Sequence, residues 1–385
     1  MHIVLFSHPS FMNSQSMPRY ARMLEEAYLK RGHQVKIWSP QAKVYAVFPK
    51  GRLSKWAGYI DQYILFPMWV RKQLKKQVAD TLYVFCDQAL GPWVPLVKNM
   101  QHVVHVHDLL ALRSALGDIP ENPTQWSGRV YQRYIRHGFQ QAKHFISISN
   151  KTKTDLHQFG QVSPVTSDVV YNGLNYPYSP MLQSEAILVL KQAGMPLQAE
   201  GMLLHLGGSQ WYKNLAGVIM LYIEYAKSEV NPLPLWCISP SPNEKVQALI
   251  KEVPVKGKVL FFHGIDNKVL HAAYSTASAF IFPSLAEGFG WPIIEAQACG
   301  CLVLTTDASP MNEIGGPAAT YIPLLKLSDD MQSWSVEGAK ALNSILKLSE
   351  VQRTALSEMG IAHAAQFKAE SAIEGYLKTY QKVLS

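Results

Sequence analysis

The chain has 385 residues, 48% of them hydrophobic and 17% charged, with a formal net charge of +8. That composition excludes a disordered chain and suits two domains, each large enough for its own core. No apolar run approaches the ~18 residues of a membrane span, and the N-terminal MHIVLFSHPS reads as a first strand rather than a signal peptide. In chain order the candidate strands are HIVLF, QVKIW, TLYVF, HVVHV, HFISI and DVVYN, then MLLHL, LPLWCI, KVLFF, AFIFP, LVLTT and TYIP. The segments between them, such as MPRYARMLEEAYLKRG, carry apolar residues at helical spacing. Continuous apolar strands alternating with helices predict parallel sheets covered on both faces, an α/β class.

Two such series fit in this length. They predict two Rossmann-like, doubly wound domains facing across a cleft, an N-terminal one over 1–180 and a C-terminal one over 181–368. The Pro- and Tyr-rich NGLNYPYSPM reads as the linker between them. A final amphipathic helix, 369–385, is expected to pack back on the N-terminal domain. In this class a ligand sits at the carboxyl ends of the strands. The four cysteines, Cys86, Cys237, Cys299 and Cys301, form no CxxC and no zinc-type cluster, and read as reduced thiols of a cytoplasmic protein.

The positive charge is unevenly spread, with 14 Lys+Arg against 5 Asp+Glu in residues 1–100. Its densest stretch, SKWAGYIDQYILFPMWVRKQLKKQ, mixes Trp56, Tyr59 and Trp69 with Arg71, Lys72, Lys75 and Lys76. Such a face suits an anionic membrane surface, peripheral on its inner side. The plainer reading is an ordinary helix with a solvated basic end, broken near Pro67. Nucleic acid is not expected, because no binding motif accompanies the charge.

One stretch carries chemistry. After the strand AFIFPS the chain runs LAEGFGW and then into a helix beginning at Pro292, where a missing N–H costs nothing. Gly288 and Gly290 permit close backbone approach, and the amides near Gly290, Trp291 and Ile293 would meet an anion such as a diphosphate. Glu287 sits in the loop and Glu295 about one turn into the helix. A carboxylate beside an anion site does not bind phosphate, but it accepts hydrogen bonds from hydroxyls. Two acids flanking an anion site point to a sugar–diphosphate–nucleoside ligand.

The Glu-x7-Glu block EGFGWPIIEAQACGCLVLTT resembles the signature of the retaining glycosyltransferases of family four (glycosyl transferases group 1), which have the GT-B fold. HLGGSQWYKNLAGVI, FFHGIDNKVLHAAYSTASAFIFPS, VVHVHDLLAL, SISNKTKTDL and VVYNGLN resemble further family segments in the right order, so the likeness spans nearly the whole chain. The resemblance implies that Glu295 holds the ribose hydroxyls and Glu287 the donor-sugar hydroxyls. It places Gly208, Gly288, Phe289, Gly290, Trp291 and Ile293 along the sugar and diphosphate, and Lys213 on the phosphates. Ile265 and Asn267 fall beside the base, and His107 near the transferred sugar. Glu287, Lys213 and His107 are then the candidate catalytic residues. His105, two positions before His107, reads as structural.

The sequence departs from the family pattern twice. Tyr212 stands where an arginine usually precedes the lysine, and the first loop, NSQSMPRYARML, lacks its glycines. Ser14, Ser16, the amides around Met17, and Arg19 are the candidates to serve the diphosphate or acceptor there. The reaction implied is transfer of a hexose from a nucleotide sugar to a hydroxyl of a glycan or lipid-linked glycan, with retention, in polysaccharide or glycolipid synthesis. UDP-glucose is the preferred donor and GDP-mannose the alternative. No cofactor or metal is expected, and no Asp-x-Asp motif is present to hold one. A nucleotide-sugar epimerase on the same fold and a non-catalytic nucleotide-sugar-binding protein are the competing readings. Incubation with labelled nucleotide sugar separates transfer from isomerisation and from mere binding.

Overall fold

In the computed structural model of the protein, residues 1–12, 16–196 and 201–385 are described. Six strands form the first sheet: β1 (His2–Phe6), β2 (Gln34–Trp38), β3 (Thr81–Phe85), β4 (His102–Val106), β5 (His144–Ser147) and β6 (Thr166–Val169). Six more form the second: β7 (Leu203–Leu206), β8 (Leu235–Ile238), β9 (Val259–Phe262), β10 (Ala279–Phe282), β11 (Val303–Thr306) and β12 (Ala319–Ile322). All neighbours are parallel. The strand orders are β2-β1-β3-β4-β5-β6 and β12-β11-β10-β7-β8-β9.

Each of the twelve apolar runs overlaps a strand: inner strands such as β3, β4, β10 and β11 are buried on both faces and need no polar alternation, whereas the edge strand β2 alternates, with Gln34 and Lys36 exposed. DVVYN is shifted: β6 starts at Thr166, where the amides of Val165 and Thr166 both reach the Lys143 carbonyl.

The chain divides into two compact units, Met1–Tyr171 with Glu370–Ser385, and Asn172–Ala369. The boundary thus falls earlier than 180/181. NGLNYPYSPM belongs to the second unit, held by bonds from Trp291 Nε1 to the Gly173 carbonyl (3.0 Å) and from the Leu174 amide to the Phe367 carbonyl (2.9 Å). In each unit the strand order reverses once, between β1 and β3 and between β10 and β7. Such reversals open a crevice at the carboxyl ends of the two strands, where ligands bind in open α/β sheets.

The first unit is completed by the helix Ala369–Leu384. A buried hydrogen-bond chain secures it. Tyr28 Oη donates to Tyr380 Oη (3.0 Å), Tyr380 reaches His105 Nε2 (2.7 Å), and His105 Nδ1 reaches Tyr20 Oη (2.8 Å). Burial pushes the His105 pKa down to about 3, so the ring is neutral, with one nitrogen to donate and one to accept. Thr379 and Lys382 add bonds to Asp168 at 2.9 and 3.0 Å. His105 is thus a satisfied core histidine. Elsewhere in this unit Gly91 and Gly138 let two backbones meet: a Cβ on Gly138 would lie 2.1 Å from the Gly91 carbonyl oxygen.

The chain does not break at Pro67. An α-helix over Ser54–Ile60 passes through a π-helical turn, Asp61–Leu65, into the α-helix Phe66–Leu74, with Pro67 in the first turn of that last piece. The wider turn before Pro67 accommodates the missing amide and the ring.

Candidate active site

The strand reversal of the second unit brings two loops side by side. One follows β7 (Gly207–Asn214) and the other follows β10 (Pro283–Gly290). They are fastened to each other: the Leu285 amide donates to the Tyr212 carbonyl (2.7 Å), and Asn214 Nδ2 to the Pro283 carbonyl (3.1 Å). Asn214 takes a left-handed backbone (φ 54°) and caps the helix Leu215–Ser228, its side chain accepting from the Gly217 amide. Asparagine is among the few residues that tolerate that geometry and cap a helix together.

This lacing places Lys213 Nζ 2.8 Å from Glu287 Oε1, with both side chains largely buried. Ser284 Oγ donates to the same carboxylate oxygen at 2.8 Å. The ammonium also lies over the Phe282 ring, 4.9 Å from its centroid, a favourable cation–π position. An ammonium has three N–H donors, so one bond to Glu287 leaves Lys213 able to serve an anion as well.

Glu295 sits at the second turn of the helix Trp291–Ala298 and is 7% exposed. Tyr274 Oη donates to its Oε2 at 3.1 Å. Burial raises the Glu295 pKa to about 7, against the pull of the Tyr274 bond and the Lys213 charge. The second unit thus holds one acid neutralised by a lysine and another poised near neutrality.

At the start of that helix Gly290 has φ 106°, a conformation open to glycine. Among the described residues no side chain caps this end. The amide of Ile293, expected to meet the anion, is instead satisfied by the Gly290 carbonyl at 3.0 Å, and Pro292 has no amide to offer. Phe289 is buried, its ring edge-on to Trp291 (5.7 Å) and Phe367 (5.9 Å), and it fixes the loop rather than lining its surface. Gly208 lies in the first loop, where a Cβ would fall 2.1 Å from Gln210 Oε1. Ile265 packs against the core beside β9, and Asn267 is exposed at the start of the helix Asn267–Thr276.

Sequence reading missed His205, on β7. Its Nδ1 bonds the Ile281 carbonyl (2.8 Å), so this nitrogen carries the proton. Among the described residues its buried Nε2 has no hydrogen-bond partner, and a Cβ on Gly207 would lie 2.8 Å from it. Burial lowers its pKa to about 4.

The reversal of the first unit has its own cluster. His107, at the end of β4, donates from Nε2 to the Cys86 carbonyl (2.9 Å), and its ring stands edge-on to Tyr20 at 4.8 Å. Its amide is held by Gln88 Oε1 at 3.0 Å. Burial lowers its pKa, so the ring is neutral and Nδ1 keeps a lone pair. His8 and Asp87, which no sequence spacing connects, pair at 2.8 Å. Burial works against the Asp87 carboxylate, but its hydrogen bonds with His8 and with the Ala89 amide outweigh that and leave its pKa lowered. Ser16 and Arg19 are exposed at the start of the helix Ser16–Leu29, and Met17 packs on the core there. Ser14 lies outside the described residues. Past the end of β2 there is a cavity of about 320 Å³, lined by Ser39, Gln41 and Lys43 against Ile37, Leu65, Phe66 and Trp69. All four cysteines are buried and free.

Two Rossmann-like units of this kind, the second with a lysine and two acids at its strand reversal, are the architecture of the GT-B fold. Sucrose-phosphate synthase from Thermosynechococcus elongatus superposes with a TM-score of 0.73 at 17% identity, over 99% of this chain and 98% of that one. The family described as glycosyl transferases group 1 matches residues 198–323, and the glycosyltransferase family 4 description matches 17–176. The chain belongs to these glycosyltransferases. The O-antigen chain mannosyltransferase RfbU of Salmonella typhimurium is 26% identical over 63% of this chain, a match that spans 60% of that relative's own length. The MMP alpha-(1->4)-mannosyltransferase of Mycolicibacterium hassiacum is 22% identical over 100% of this chain and 99% of the relative.

Proposed function

We propose that the protein transfers a mannosyl group from a nucleotide diphosphate donor to a hydroxyl of a glycan or lipid-linked glycan, retaining the anomeric configuration. The observation that carries the reading is the Lys213–Glu287 pair, 2.8 Å apart, with Glu295 buried beside it at the strand reversal. Lys213 binds a phosphate oxygen of the donor while still touching Glu287. As the glycosidic bond breaks, charge builds on the diphosphate, and the ammonium stabilises that state more than the ground state. Glu287 accepts hydrogen bonds from the sugar hydroxyls and Glu295 from the ribose. The acceptor attacks from the face the diphosphate leaves, and a phosphate oxygen takes its proton. No metal has a part in this route.

The curated relatives named above are both mannosyltransferases, which favours GDP-mannose over the UDP-glucose suggested by family habit. The acceptor belongs to the first unit, and the product to polysaccharide or glycolipid assembly at the inner membrane face.

The test is to incubate the full chain with GDP-mannose, UDP-glucose and UDP-N-acetylglucosamine in turn. Thermal stabilisation and nucleoside diphosphate release are read for each. GDP-mannose should give the largest shift and the fastest release. A greater response to a UDP-sugar overturns the donor assignment, and no response to any nucleotide sugar overturns the transfer reading.

A further inference from the structure

The first unit carries an apolar surface that the transfer chemistry does not use. Along the helix Ser54–Leu74, Trp56, Ile60, Ile64 and Met68 are all exposed, at four-residue steps. In a regular α-helix each such step drifts about 40° around the axis, and the stripe would wind off its face. The π-helical turn Asp61–Leu65 takes up one extra residue, which offsets the drift and keeps the stripe on one side. Asp61, which opens that turn, is buried and accepts bonds from the amides of Lys43, Val44 and Tyr45 at 2.9 to 3.0 Å. It ties down the preceding segment, where Val47, Phe48 and Leu53 are exposed as well.

A second helix, Trp126–Phe139, exposes Trp126, Val130 and Tyr134 at the same four-residue step. Tyrosines join the two helices. Tyr63 and Tyr131 share a hydrogen bond of 2.6 Å, Tyr59 stacks on Tyr131 at 6.0 Å, and Tyr134 stands edge-on to Tyr63 at 5.7 Å. The apolar residues exposed on both helices therefore belong to one region. Single exposed apolar side chains are ordinary, whereas contiguous ones mark an interaction surface.

The surrounding charge says what that surface meets. Arg52, Lys55, Arg71, Lys72, Lys75 and Lys76 are exposed on the first segment, and Arg129 and Arg133 on the second. Between Val44 and Val78 the sequence has one acid, Asp61, which is buried on its three amides. A nucleic acid would satisfy these cations and leave the stripe from Trp56 to Met68 in water. A second copy would set like charge against like charge. A membrane surface with anionic headgroups satisfies both kinds of group. Among the described residues no helix is long and apolar enough to cross a membrane, so the contact is peripheral. We propose that the two helices form a platform that docks on an anionic lipid surface, with Trp56 and Trp126 at headgroup depth and the basic side chains on the lipid phosphates.

The test is flotation of the full chain with vesicles of phosphatidylcholine alone, or with about one-third phosphatidylglycerol, at low and physiological salt. The protein should float with the anionic vesicles and stay behind with the neutral ones. A basic residue near such a surface contributes roughly five-fold in partitioning. Arg71→Gln with Lys72→Gln and Lys75→Gln should therefore lower it by about 100-fold. Trp56→Ser with Ile60→Ser should also lower it, while keeping the salt dependence. All these positions are exposed, and an unchanged urea unfolding midpoint shows that each variant folds. Equal partitioning to both vesicles, none to either, or wild-type flotation of either variant overturns the proposal. So does a dimer that dissociates on Trp56→Ser, or binding to RNA that is tighter than to the vesicles. The readout is lipid binding, so failure here leaves the transfer reading standing, and failure of the donor test leaves this one standing.

Discussion

Glu295→Gln removes a titration that the fold pays for. The carboxyl has a pKa of about 7 in the folded protein, against an ordinary 4.5, because burial disfavours its charged form. Between those values the folded state binds more protons than the unfolded one. Stability therefore falls as pH rises from about 4.5 to 7, and the full cost is present above 7. A shift of that size corresponds to about 3 kcal/mol. Glutamine keeps an oxygen for the Tyr274 hydroxyl and never ionises. The variant should gain on the wild type by about 2–3 kcal/mol between pH 5 and pH 8, in the urea transition of the second unit. Other titrating groups cancel in that comparison. In the ribose-binding role proposed above, the hydroxyls donate to the charged form, so nucleotide binding to the wild type should release a proton and tighten as pH rises through 7, whereas the variant should bind weakly and without pH dependence. A stability difference that stays constant from pH 5 to pH 8 refutes the reasoning.

Lys213→Ala should lower kcat by about 10²–10³, because it removes the cation proposed for the leaving diphosphate and leaves the Glu287 carboxylate without its 2.8 Å partner; steady-state rates over donor concentration check this. Asp61→Ala strips three amides of their acceptor and should destabilise the first unit by about 3 kcal/mol, with loss of hydrogen-exchange protection at Lys43, Val44 and Tyr45. Gly138→Ala drives a methyl group into the Gly91 backbone and should cost at least about 3 kcal/mol, read from the urea midpoint of the first unit.

The sheets were legible in the sequence because their inner strands are buried on both faces, so continuous hydrophobic runs mark them. The reversal between β10 and β7 was not legible, since strand order leaves no local signal. It is nevertheless what joins Lys213 to Glu287, 74 residues apart. The two acids were readable because glycines, a proline and a helix lie between them. His8 and Asp87 were not, because each is unremarkable until β1 and β3 are paired. The Ile293 amide was misread because a helix start looks open in sequence, whereas here the first turn closes on the Gly290 carbonyl. The basic stretch 54–77 was noticed for its composition. Its partner helix Trp126–Phe139 was not, since the arginines between Trp126, Val130 and Tyr134 hide a sparse apolar stripe. Nor could Pro67 reveal that a π turn would carry the helix past it.

The helix Ala369–Leu384 orders events during synthesis. The whole of the second unit leaves the ribosome before the residues that complete the first. Until then Tyr28, His105 and Tyr20 await Tyr380, and the apolar face of β1 and β3 beneath the helix is open to water. The second unit can finish folding as an insertion while the first waits for its last element. A nascent chain stalled after the second unit therefore exposes that face to chaperones, and release of Glu370–Ser385 lets the first unit close.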